Sequence, residues 1–517
     1  MWCRWPVTPV VFVTTLLVAC TSDSGSNPTQ PTSPVATTID LSTTSVSLAS
    51  PGADQQLSAT VLVPHGDAMT SASVTWSSAN PSIAAVTSSG LVTGVAQGST
   101  SVTAALGTLT ADATVTVGPL PSIAAEEFCS DQPGDAIAAF MDAGLEAVVR
   151  DSLAIGPDDD LLCSALETIT GLATQFSDGV ESLVGIQNLS GLRELAIAGS
   201  YVSDLGPLST LTGVVVLDLD QSDYFSDLSP LVSMTGLREL YLGNTDGITD
   251  LTQVAALTNL TVLNFQEHFS NSDIGPLSAL TNLEYLELSA NDISDLSALS
   301  GLTSLTYLGI GDNTLTDLSA LAGLTRLEYL GISSNNTLSD LGPLASLTSL
   351  RSLDASSNMV SDLTPLATLT SLESLDLWGN DILADLTPLS GLTSLTDLNL
   401  TKNAITDISP LAALTALTIL HVQNNDVVDV GPLAGLTALE TLNLRSNRIT
   451  DLTALGGLVN LSELYLSSNS SLSNVQPLIE NDGLGEGDEI ELDATQVSCD
   501  DVAVLQARGA TVSSRCG

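Results

Sequence analysis

Very few residues of this sequence have the types and spacing that catalysis needs. The chain contains three histidines, His65, His268 and His421. None of them belongs to an H-E-x-x-H motif, and the sequence has neither a G-x-S-x-G nucleophile turn nor a glycine-rich phosphate loop. The repeat described below brings Asp397 and Asn443 beside His421, but no serine or cysteine nucleophile accompanies them. We therefore predict that the protein is not an enzyme and needs no cofactor.

The first residues with a chemical role belong to an export segment. An apolar run at residues 7–18 follows a positively charged residue and is too short to span a bilayer as a stable helix. Its ending, LVAC at 17–20, resembles a bacterial lipobox, which implies that Cys20 becomes the lipidated first residue of the mature protein. The alternative is an ordinary secretory signal with a chance cysteine. We predict a lipoprotein signal peptide over 1–19 and a flexible tether rich in Ser, Thr and Pro over 20–38.

Four further cysteines lie in two pairs at opposite ends of a repetitive region. An even number of cysteines in an exported chain indicates disulfide bonds. Three pairings are possible, and we expect Cys129–Cys163 and Cys499–Cys516. Because the sequence has no C-x-x-C motif and no cluster of cysteine and histidine, we predict no metal site.

Charge is strongly unbalanced, with 11 Lys and Arg against 59 Asp and Glu and a net charge of −48 in 517 residues. Such a chain repels nucleic acid and anionic membrane surfaces and favours cationic or polar partners. Aromatic residues make up only 3% of the chain, so any core must consist mainly of aliphatic side chains.

One phrase, L-x-x-L-x-L-x-x-N, recurs from Leu192 onward in steps of 22 or 23 residues, with the asparagine replaced in the first copies. A period of this length with this phrase is the signature of leucine-rich repeats. In each copy a short strand turns its alternate leucines inward, and neighbouring coils join these strands into a parallel sheet. We assign about thirteen repeats to residues 191–480. The copies begin at Leu192, Val214, Leu237, Leu260, Leu283, Leu305, Leu327, Leu350, Leu372, Leu395, Leu417, Leu439 and Leu461.

The asparagine of the phrase has a structural explanation. A buried amide at the end of a strand must bond to the backbone, and adjacent coils can supply the partners as a ladder. Nine copies carry it, at Asn291, Asn313, Asn335, Asn358, Asn380, Asn403, Asn425, Asn447 and Asn469. The first four copies have Ser200, Ser222, Thr245 and His268 instead, so we expect a weaker ladder there.

The aspartate of the second half of each copy also recurs, as in Asp317, Asp340, Asp362 and Asp385. It precedes a short turn that often contains proline, and a carboxylate there can accept unpaired backbone N–H groups. A column of aspartates could also bind calcium, but the carboxylates would have to converge from several sides. Capping is therefore our interpretation.

Residues 39–118 follow a period-two pattern instead, with short alternating runs between Gly, Pro and Asn turns. This pattern is typical of a β-sandwich. The phrase WSSANPSIAAVTSSGLVTGVAQGSTSVTA at 76–104 resembles the bacterial immunoglobulin-like group 2 domain, with Trp76 as a core residue. In that family such domains usually act as stalk or adhesion modules, and we expect a spacer here.

Both ends of the array need covers, because a terminal coil would otherwise expose its core. Residues 126–190 include DAIAAFMDAGLEAVVRDSL, whose apolar spacing predicts an amphipathic helix in an N-terminal cap. Residues 481–517 are polar and glycine-rich and predict a C-terminal cap. The acidic residues of this cap are interpreted as a solvated loop, with a cation site as the alternative, although the EF-hand order is absent. They are Asp482, Glu486, Asp488 and Glu489.

With SLTSLTYLGI-type strands, Asn corners and DLSPL turns, residues 126–517 resemble the internalin-like class of leucine-rich-repeat proteins. The resemblance implies a curved solenoid with a parallel concave sheet, short helical or 3-10 turns on the convex side, and binding of another protein, often in bacterial adhesion. Two features depart from it: an immunoglobulin-like domain precedes the repeats, and no C-terminal LPxTG signal is present. We therefore expect attachment by lipid and do not carry over host-cell invasion.

The candidate binding surface consists of the second, fourth and sixth residues after the first leucine of each copy, which face outward. Five of the seven tyrosines occupy such positions, and Tyr285, Tyr307 and Tyr329 fall in register on successive coils. Tyrosine rings favour interfaces, although they also stabilise one another across strands. The predicted binding residues are Tyr241, Tyr285, Glu287, Tyr307, Tyr329, Asp354, Asp376, Trp378, Asp397, Asn399, His421, Asn443, Arg445 and Tyr465, with Glu239 nearby.

We therefore predict a cell-surface lipoprotein, at the outer membrane or cell surface, that binds another protein in adhesion or recognition. A partner with exposed Lys or Arg would suit the carboxylates, and a glycosylated partner would suit the rings. The alternatives are a structural or envelope-assembly protein that self-associates, and a glycan-binding protein.

Overall fold

The computed structural model describes residues 35–132, 135–245, 247–268 and 272–516. The chain divides after Pro119 into two compact units. The predicted signal peptide, Cys20 and most of the predicted tether lie outside the described residues. Within the described ranges, no helix is both long and apolar enough to cross a bilayer.

The first unit is a sandwich of nine short strands. They are β1 (Thr38–Leu41), β2 (Ser45–Leu48), β3 (Asp54–Gln56), β4 (Ala59–Leu62), β5 (Thr75–Ser78), β6 (Ala84–Val86), β7 (Leu91–Gly94), β8 (Gly98–Leu106) and β9 (Leu109–Val117). One sheet has the order β2-β9-β8-β5, a second has the order β3-β7-β6, and β1 pairs with β4. Every pair is antiparallel except β2 with β9.

Trp76 packs against both hydrophobic clusters of this unit, which confirms it as a core residue. Gly90, in the SSGLVTG turn, lies against the ring with a φ of +87°. A Cβ at this position would lie 2.9 Å from the indole and 2.5 Å from the carbonyl oxygen of Leu57, so only glycine fits.

The second unit is built on one sheet of sixteen parallel strands in sequence order. They are β10 (Gly171–Ala173), β11 (Glu194–Ala196), β12 (Val216–Asp218), β13 (Glu239–Tyr241), β14 (Val262–Asn264), β15 (Tyr285–Glu287), β16 (Tyr307–Gly309), β17 (Tyr329–Gly331), β18 (Ser352–Asp354), β19 (Ser374–Asp376), β20 (Asp397–Asn399), β21 (Ile419–His421), β22 (Thr441–Asn443), β23 (Glu463–Tyr465), β24 (Glu489–Glu491) and β25 (Thr511–Ser513). The predicted repeats supply β11 to β23, and the flanking segments add the other three.

The inward leucines form one continuous core along this sheet. In the coil of β16, for example, Leu305, Leu308 and Ile310 are all 0% exposed. Each strand pairs in exact register with its neighbours, so side chains at equivalent positions form columns on both faces.

Short 3-10 helices return the chain on the side of the coils opposite the sheet. The described 3-10 helices are Cys129–Asp131, Phe176–Asp178, Ile186–Asn188, Gly206–Thr210, Ser229–Ser233, Val254–Ala256, Gly275–Ala279, Ser297–Leu299, Ser319–Leu321, Gly342–Ser346, Thr364–Thr368, Thr387–Gly391, Ser409–Ala413, Gly431–Gly435 and Thr453–Gly457. The described α-helices are α1 (Ala143–Ser152), α2 (Cys163–Leu166), α3 (Gln476–Ile479) and α4 (Cys499–Ala507).

The recurring aspartates cap these turns, as the sequence indicates. Oδ1 of Asp340 accepts the backbone N–H of Gly342 over 2.7 Å, and Oδ1 of Asp295 accepts that of Ser297 over 2.8 Å. The backbone hydrogen bond and the Ser297 hydroxyl lower the pKa of Asp295. In the described part of the chain, no group of three or more His, Cys, Asp or Glu side chains is arranged to hold a metal ion.

The asparagines form the predicted ladder. Nδ2 of Asn313 donates to the carbonyls of Leu288 and Ile310, each over 3.1 Å, and its Oδ1 accepts the N–H of Ile293 over 2.9 Å. In the early coils the hydroxyl of Ser222 reaches its carbonyl partners only at 3.4 Å. The ladder is therefore weaker at Ser222, whereas Nε2 of His268 lies 2.7 Å from the carbonyl oxygen of Leu242.

The N-terminal cap differs from the prediction in its helix. The apolar spacing predicts a helix from residue 135, but α1 begins only at Ala143. Ile137 is instead paired by β-bridges with Ser122 and Leu162, and Asp142 caps α1 by accepting the N–H of Leu145 over 2.9 Å. Tertiary pairing thus overrides the local helical pattern.

The caps otherwise close both ends of the array. The predicted disulfides Cys129–Cys163 and Cys499–Cys516 are both formed, which confirms that pairing. Although the leucine phrase ends after β23, the C-terminal cap continues the sheet through β24 and β25, where Ile490 takes the place of an inward leucine. Asp488, from the acidic loop, accepts the N–H of Gly485 over 2.7 Å and so stabilises a turn.

Candidate functional site

The predicted binding residues all lie along the outward, concave face of the sixteen-stranded sheet. Their places are Tyr241 on β13, Tyr285 and Glu287 on β15, Tyr307 on β16, Tyr329 on β17, Asp354 on β18, Asp376 on β19, Asp397 and Asn399 on β20, His421 on β21, Asn443 on β22 and Tyr465 on β23, with Trp378 and Arg445 just beyond β19 and β22. They fall into four neighbouring groups along the sheet, on β13 and on every strand from β15 to β23.

The central group is a ladder of three tyrosines, Tyr285, Tyr307 and Tyr329, which pair directly across β15, β16 and β17. The ring centroids of the first two lie 4.1 Å apart with an interplanar angle of 12°, and those of the last two lie 4.3 Å apart at 5°. The rings therefore stack face to face along the array. All three are half-buried on the sheet surface and none enters the core. We call these three residues the tyrosine ladder.

The ladder rests beside two glycines at the adjacent outward position. A Cβ at Gly309 would lie 2.2 Å from Oε2 of Glu287, and a Cβ at Gly331 would lie 3.1 Å from the hydroxyl oxygen of Tyr329. The missing side chains leave a shallow floor that the Glu287 carboxylate and the Tyr329 hydroxyl occupy. Sequence reasoning missed these glycines, although the repeated YLG of β16 and β17 was a visible signal.

Glu287 is a buried carboxylate within this group, 8% exposed. Its Oε2 accepts the Tyr307 hydroxyl over 3.1 Å, and its Oε1 accepts the backbone N–H of Ser289 over 2.9 Å. Burial, together with the charge of Glu287, raises the pKa of Tyr307 well above its ordinary value. Burial likewise raises the pKa values of Tyr285 and Tyr329. The three hydroxyls therefore remain neutral donors at physiological pH.

Beyond the ladder lies an acidic stretch. Asp354 and Asp376 are paired neighbours on β18 and β19, and Asp397 follows on β20. Oδ2 of Asp376 accepts Nδ2 of Asn399 over 3.0 Å, and burial raises the pKa of the Asp376 carboxyl. The exposed ring of Trp378 borders this stretch.

Trp378 already has a cation on its ring, because Nζ of Lys402 lies 5.4 Å from the ring centroid. Lys402 also approaches Oδ1 of Asp381 at 3.8 Å. One face of this indole is therefore already in contact with a cation of the same chain.

The C-terminal group is tied to the cap. Arg445 forms an ion pair with Glu491 of β24 and lies over the ring of Tyr465, with Cζ 4.5 Å from the centroid. Nδ2 of Asn443 donates to Oε1 of Gln423 over 2.7 Å. His421 pairs with Asn399 and Asn443 on either side. These side chains were predicted to contact a partner, and the structure shows internal contacts for most of them.

The N-terminal group surrounds an open depression of about 510 Å³ on β10 to β13. Its lining includes Ala196, Glu194 and Asp218, and on one side Tyr241, whose hydroxyl donates to Oε2 of Glu239 over 2.9 Å. Burial raises the pKa of Tyr241 to about 12. Sequence reasoning included Tyr241 but missed the depression, which forms only when four coils are assembled.

Asp220, just beyond β12, is a second missed residue. Its Oδ1 accepts the N–H of Gly243 over 2.6 Å, and its Oδ2 accepts Nδ2 of Asn264 over 3.3 Å. Burial raises the pKa of Asp220 to about 6, and the nearby charge of Asp218 contributes in the same direction. The L-D-L-D of this coil was the sequence signal.

A separate aromatic row lies off the sheet, beyond the ends of β10 to β12. Phe176, Tyr201 and Tyr224 have ring centroids 5.6 and 5.4 Å apart and tilted planes, and Phe176 and Tyr224 are the most exposed of the three. These are the two tyrosines outside the predicted binding surface.

Comparisons with known protein families match both units. The bacterial Ig-like domain (group 2) family matches residues 35–117. Paired leucine-rich repeats match residues 281–322, 303–346, 348–391 and 393–435, and a further leucine-rich-repeat family matches residues 415–470. No curated protein matches the sequence at a significant level.

Solved structures are similar to this chain over about two thirds of its length. An internalin from Listeria monocytogenes is 32% identical, with a TM-score of 0.55, and the match covers 69% of this chain and 95% of that one. A leucine-rich-repeat protein of Leptospira interrogans is 21% identical with a TM-score of 0.59, covering 68% and 97% of the two chains. A TDR receptor is 21% identical with a TM-score of 0.54, covering 68% and 65%. The last two share the fold alone.

The chain thus has inward leucines, an asparagine ladder and a capped parallel sheet. It is also 32% identical in sequence to a known internalin over nearly the whole of that protein. The chain belongs to the internalin-like family of leucine-rich-repeat proteins and carries a bacterial Ig-like domain (group 2) before its repeats.

Proposed function

We propose that the protein is an exported, lipid-anchored surface protein that binds another protein through the concave face of its repeats. The tyrosine ladder is the observation that carries this proposal. It places three half-buried rings and their hydroxyls on an open sheet surface, in a chain that is otherwise poor in aromatic residues. Rings held in fixed positions lose little entropy on binding and supply much of the contact area at protein interfaces.

The surroundings of the ladder support a protein ligand. Glu287 is buried against the rings and the carboxylates of the acidic stretch follow on the next coils, so the face combines apolar area with negative charge. A partner with complementary positive charge would be attracted and oriented by that field. The array is about 60 Å long on its thirteen repeat strands, enough for an interface of ordinary size.

The remaining parts have supporting roles in this proposal. Cys20 carries the lipid, the residues between it and the immunoglobulin-like domain, which begins at residue 35, form the tether, and that domain acts as a spacer. This arrangement rests on the LVAC sequence and on the domain types, which are usual in surface proteins.

The test is site-specific photo-cross-linking in cells that produce the protein. A photoreactive residue replaces Ser374, on the concave face, or Ser390, in the 3-10 turn of the same coil. We expect cross-links to a second protein from position 374 and not from position 390. The double substitution Tyr307→Ala and Tyr329→Ala should reduce their yield by about tenfold or more, because central aromatic residues dominate interfaces.

The matched control is the double substitution Tyr201→Ala and Tyr224→Ala, which removes two contacting tyrosines that lie off the sheet. It should leave the cross-links unchanged. Cross-links that persist in the ladder variant would rule out the ladder as the binding site. Cross-links that join two copies of this chain would instead establish the self-association alternative.

A further inference from the structure

At each end of the tyrosine ladder, one ring face is not stacked on another aromatic ring. Tyr307 is stacked on both sides, whereas Tyr285 and Tyr329 are each stacked on one side only. On the open side of Tyr285 the paired residue is Val262, a branched side chain. On the open side of Tyr329 the paired residue is Ser352. The face of Tyr329 is therefore the one left open along the column.

Two small residues extend the opening. Ser352 pairs with Ser374 on the next strand, and Asp397 then occupies the same column on β20. Since strands lie about 4.8 Å apart, Tyr329 and Asp397 are separated by about 14 Å along the sheet. The column thus contains a gap with an aromatic wall at one end, a floor of two serines, and a carboxylate at the other end.

Two further carboxylates flank this gap. Asp354 and Asp376 stand in the adjacent column, directly beside the two serines. Oδ1 of Asp354 accepts the N–H and the hydroxyl of Ser356 over 3.0 and 2.6 Å, which fixes the carboxylate. The charge of Asp354 contributes to the raised pKa of Tyr329, after burial, so the carboxylate and the phenol are close in space.

No Lys or Arg of the described chain fills the gap, and the nearby charge of His421 opposes the effect of burial on the pKa values of Asp376 and Asp397. Within the described residues, Asp354, Asp376 and Asp397 form no ion pair with Lys or Arg. Arg351, the nearest arginine in sequence, pairs with Glu328 and Glu373. The rings that carry a cation in the described structure are Trp378 and Tyr465, not Tyr329.

From this geometry we propose that the gap between Tyr329 and Asp397 is a seat for one arginine side chain of the bound protein. The planar guanidinium stacks on the open face of Tyr329 and donates N–H groups to Asp354 and Asp376, with Asp397 beyond. Arginine fits better than lysine because its flat, weakly hydrated head can stack on a ring and bond to a carboxylate in two directions at once. The inference rests on the proposed function, since it names the chemistry of the partner at that same face.

The test uses the purified full chain and three probes, acetyl-Gly-Arg-Gly-amide and its lysine and citrulline counterparts, measured by ligand-observed NMR titration. Citrulline keeps the planar shape of arginine without the charge. We expect the arginine probe to bind about fivefold more tightly than either counterpart. The double substitution Asp354→Asn and Asp376→Asn should remove that preference, and asparagine can keep the hydrogen bonds from the backbone.

The control is Asp362→Asn with Asp385→Asn, which removes the same charge from capping aspartates away from the sheet. It should change the arginine affinity by less than about twofold, because exposed charges at a distance are screened. Equal binding of arginine and citrulline, or arginine binding that the Asp354/Asp376 variant leaves unchanged, would overturn the seat.

The arginine titration and the photo-cross-linking experiment can fail independently of each other. If the photo-cross-links depend on Tyr307 and Tyr329 but arginine shows no preference, the ladder binds its partner and the arginine seat is wrong. If arginine binds as expected but the cross-links ignore the ladder, the seat stands as a cation site and the proposed protein interface is wrong.

Discussion

The hydroxyl of Tyr307 donates a hydrogen bond to Oε2 of Glu287 over 3.1 Å, from one coil to the preceding one. The acceptor is almost fully buried, and the donor is stacked on both faces by other tyrosines. This bond fixes the position of the central ring on the sheet and keeps the charged Glu287 carboxylate in contact with the ladder.

The pKa of Tyr307 should report this contact. Burial and then the charge of Glu287 raise it above the ordinary value of 10.0, so the stability that the neutral phenol contributes is complete below that pH and is lost as the pH rises above it. Glu287→Gln should move the ionisation of Tyr307 back towards, but not fully to, that value, because the ring remains buried. The measurement is the absorbance of tyrosinate during alkaline titration, taken as the difference from Tyr307→Phe. An unchanged titration in Glu287→Gln would contradict the assigned contact.

Asp220 should destabilise the folded protein at neutral pH. Burial raises its pKa from 3.8 to about 6, so the folded state takes up a proton and gains stability as the pH falls from about 6 to 3.8. Asp220→Asn should therefore raise the free energy of unfolding at neutral pH by about 1 kcal/mol, after discounting for a half-exposed group. The new amide can also donate to Oδ1 of Asn264, a buried atom that has no partner in the described structure.

Urea unfolding at neutral pH and near pH 4 checks this prediction, with Glu194→Gln as a control that removes one charge from the same face. The advantage of Asp220→Asn should disappear at the lower pH. An equal gain from both substitutions would attribute the effect to net charge instead.

The asparagine ladder should matter more than the hydroxyls that replace it. Asn335 is 0% exposed, donates to Ile310 and Ile332, and accepts the N–H of Leu315 over 3.0 Å. Asn335→Ala leaves these backbone groups unpaired in the core and should cost about 2–4 kcal/mol. Ser222→Ala, which removes contacts of 3.4 Å, should cost less than about 1 kcal/mol. Denaturant unfolding of the two variants measures these losses of stability. Equal losses would count against the ladder.

The two disulfides should protect the ends of the array rather than its middle. Their sequence separations of 34 and 17 correspond to about 3–4 kcal/mol each in the chain-entropy account. Replacing Cys499 and Cys516 by serine should therefore speed amide hydrogen exchange in β24 and β25 and leave β16 unchanged, because each coil contacts only its neighbours. Replacing Cys129 and Cys163 should do the same for β10. Faster exchange throughout the sheet would show that the array unfolds as a single cooperative unit.

The sequence predicts the coils well because the spacing of the leucines determines where each strand begins and therefore which residues pair between neighbouring coils. Every copy that begins with a leucine or valine at the predicted position forms a strand two residues later. The local pattern fails where distant partners decide. Ile137 lies in a helical pattern but pairs with Leu162, and Ile490 continues the sheet without the phrase around it.

For the candidate site, the sequence could predict which residues share a column on the sheet, but not the contacts that their side chains make. The register of Tyr285, Tyr307 and Tyr329 follows from the period, and the structure adds the parallel stacking. That Arg445 bonds to Glu491 of the cap could not be read from the repeat, because the two residues are separated by a segment with no phrase to count. The folding of Glu287 over Gly309 likewise depends on the absence of a side chain one coil away.

The shared strand register of successive coils has an evolutionary consequence. Gene duplication or unequal recombination can add or remove a whole coil without creating an unpaired strand, because the strands of successive coils pair in the same parallel register. A coil inserted between β17 and β18 would move Tyr329 away from Asp354 by one strand, about 4.8 Å, and leave the fold intact. Ligand preference in such a lineage can therefore change when a coil is added or removed, before any single residue is substituted.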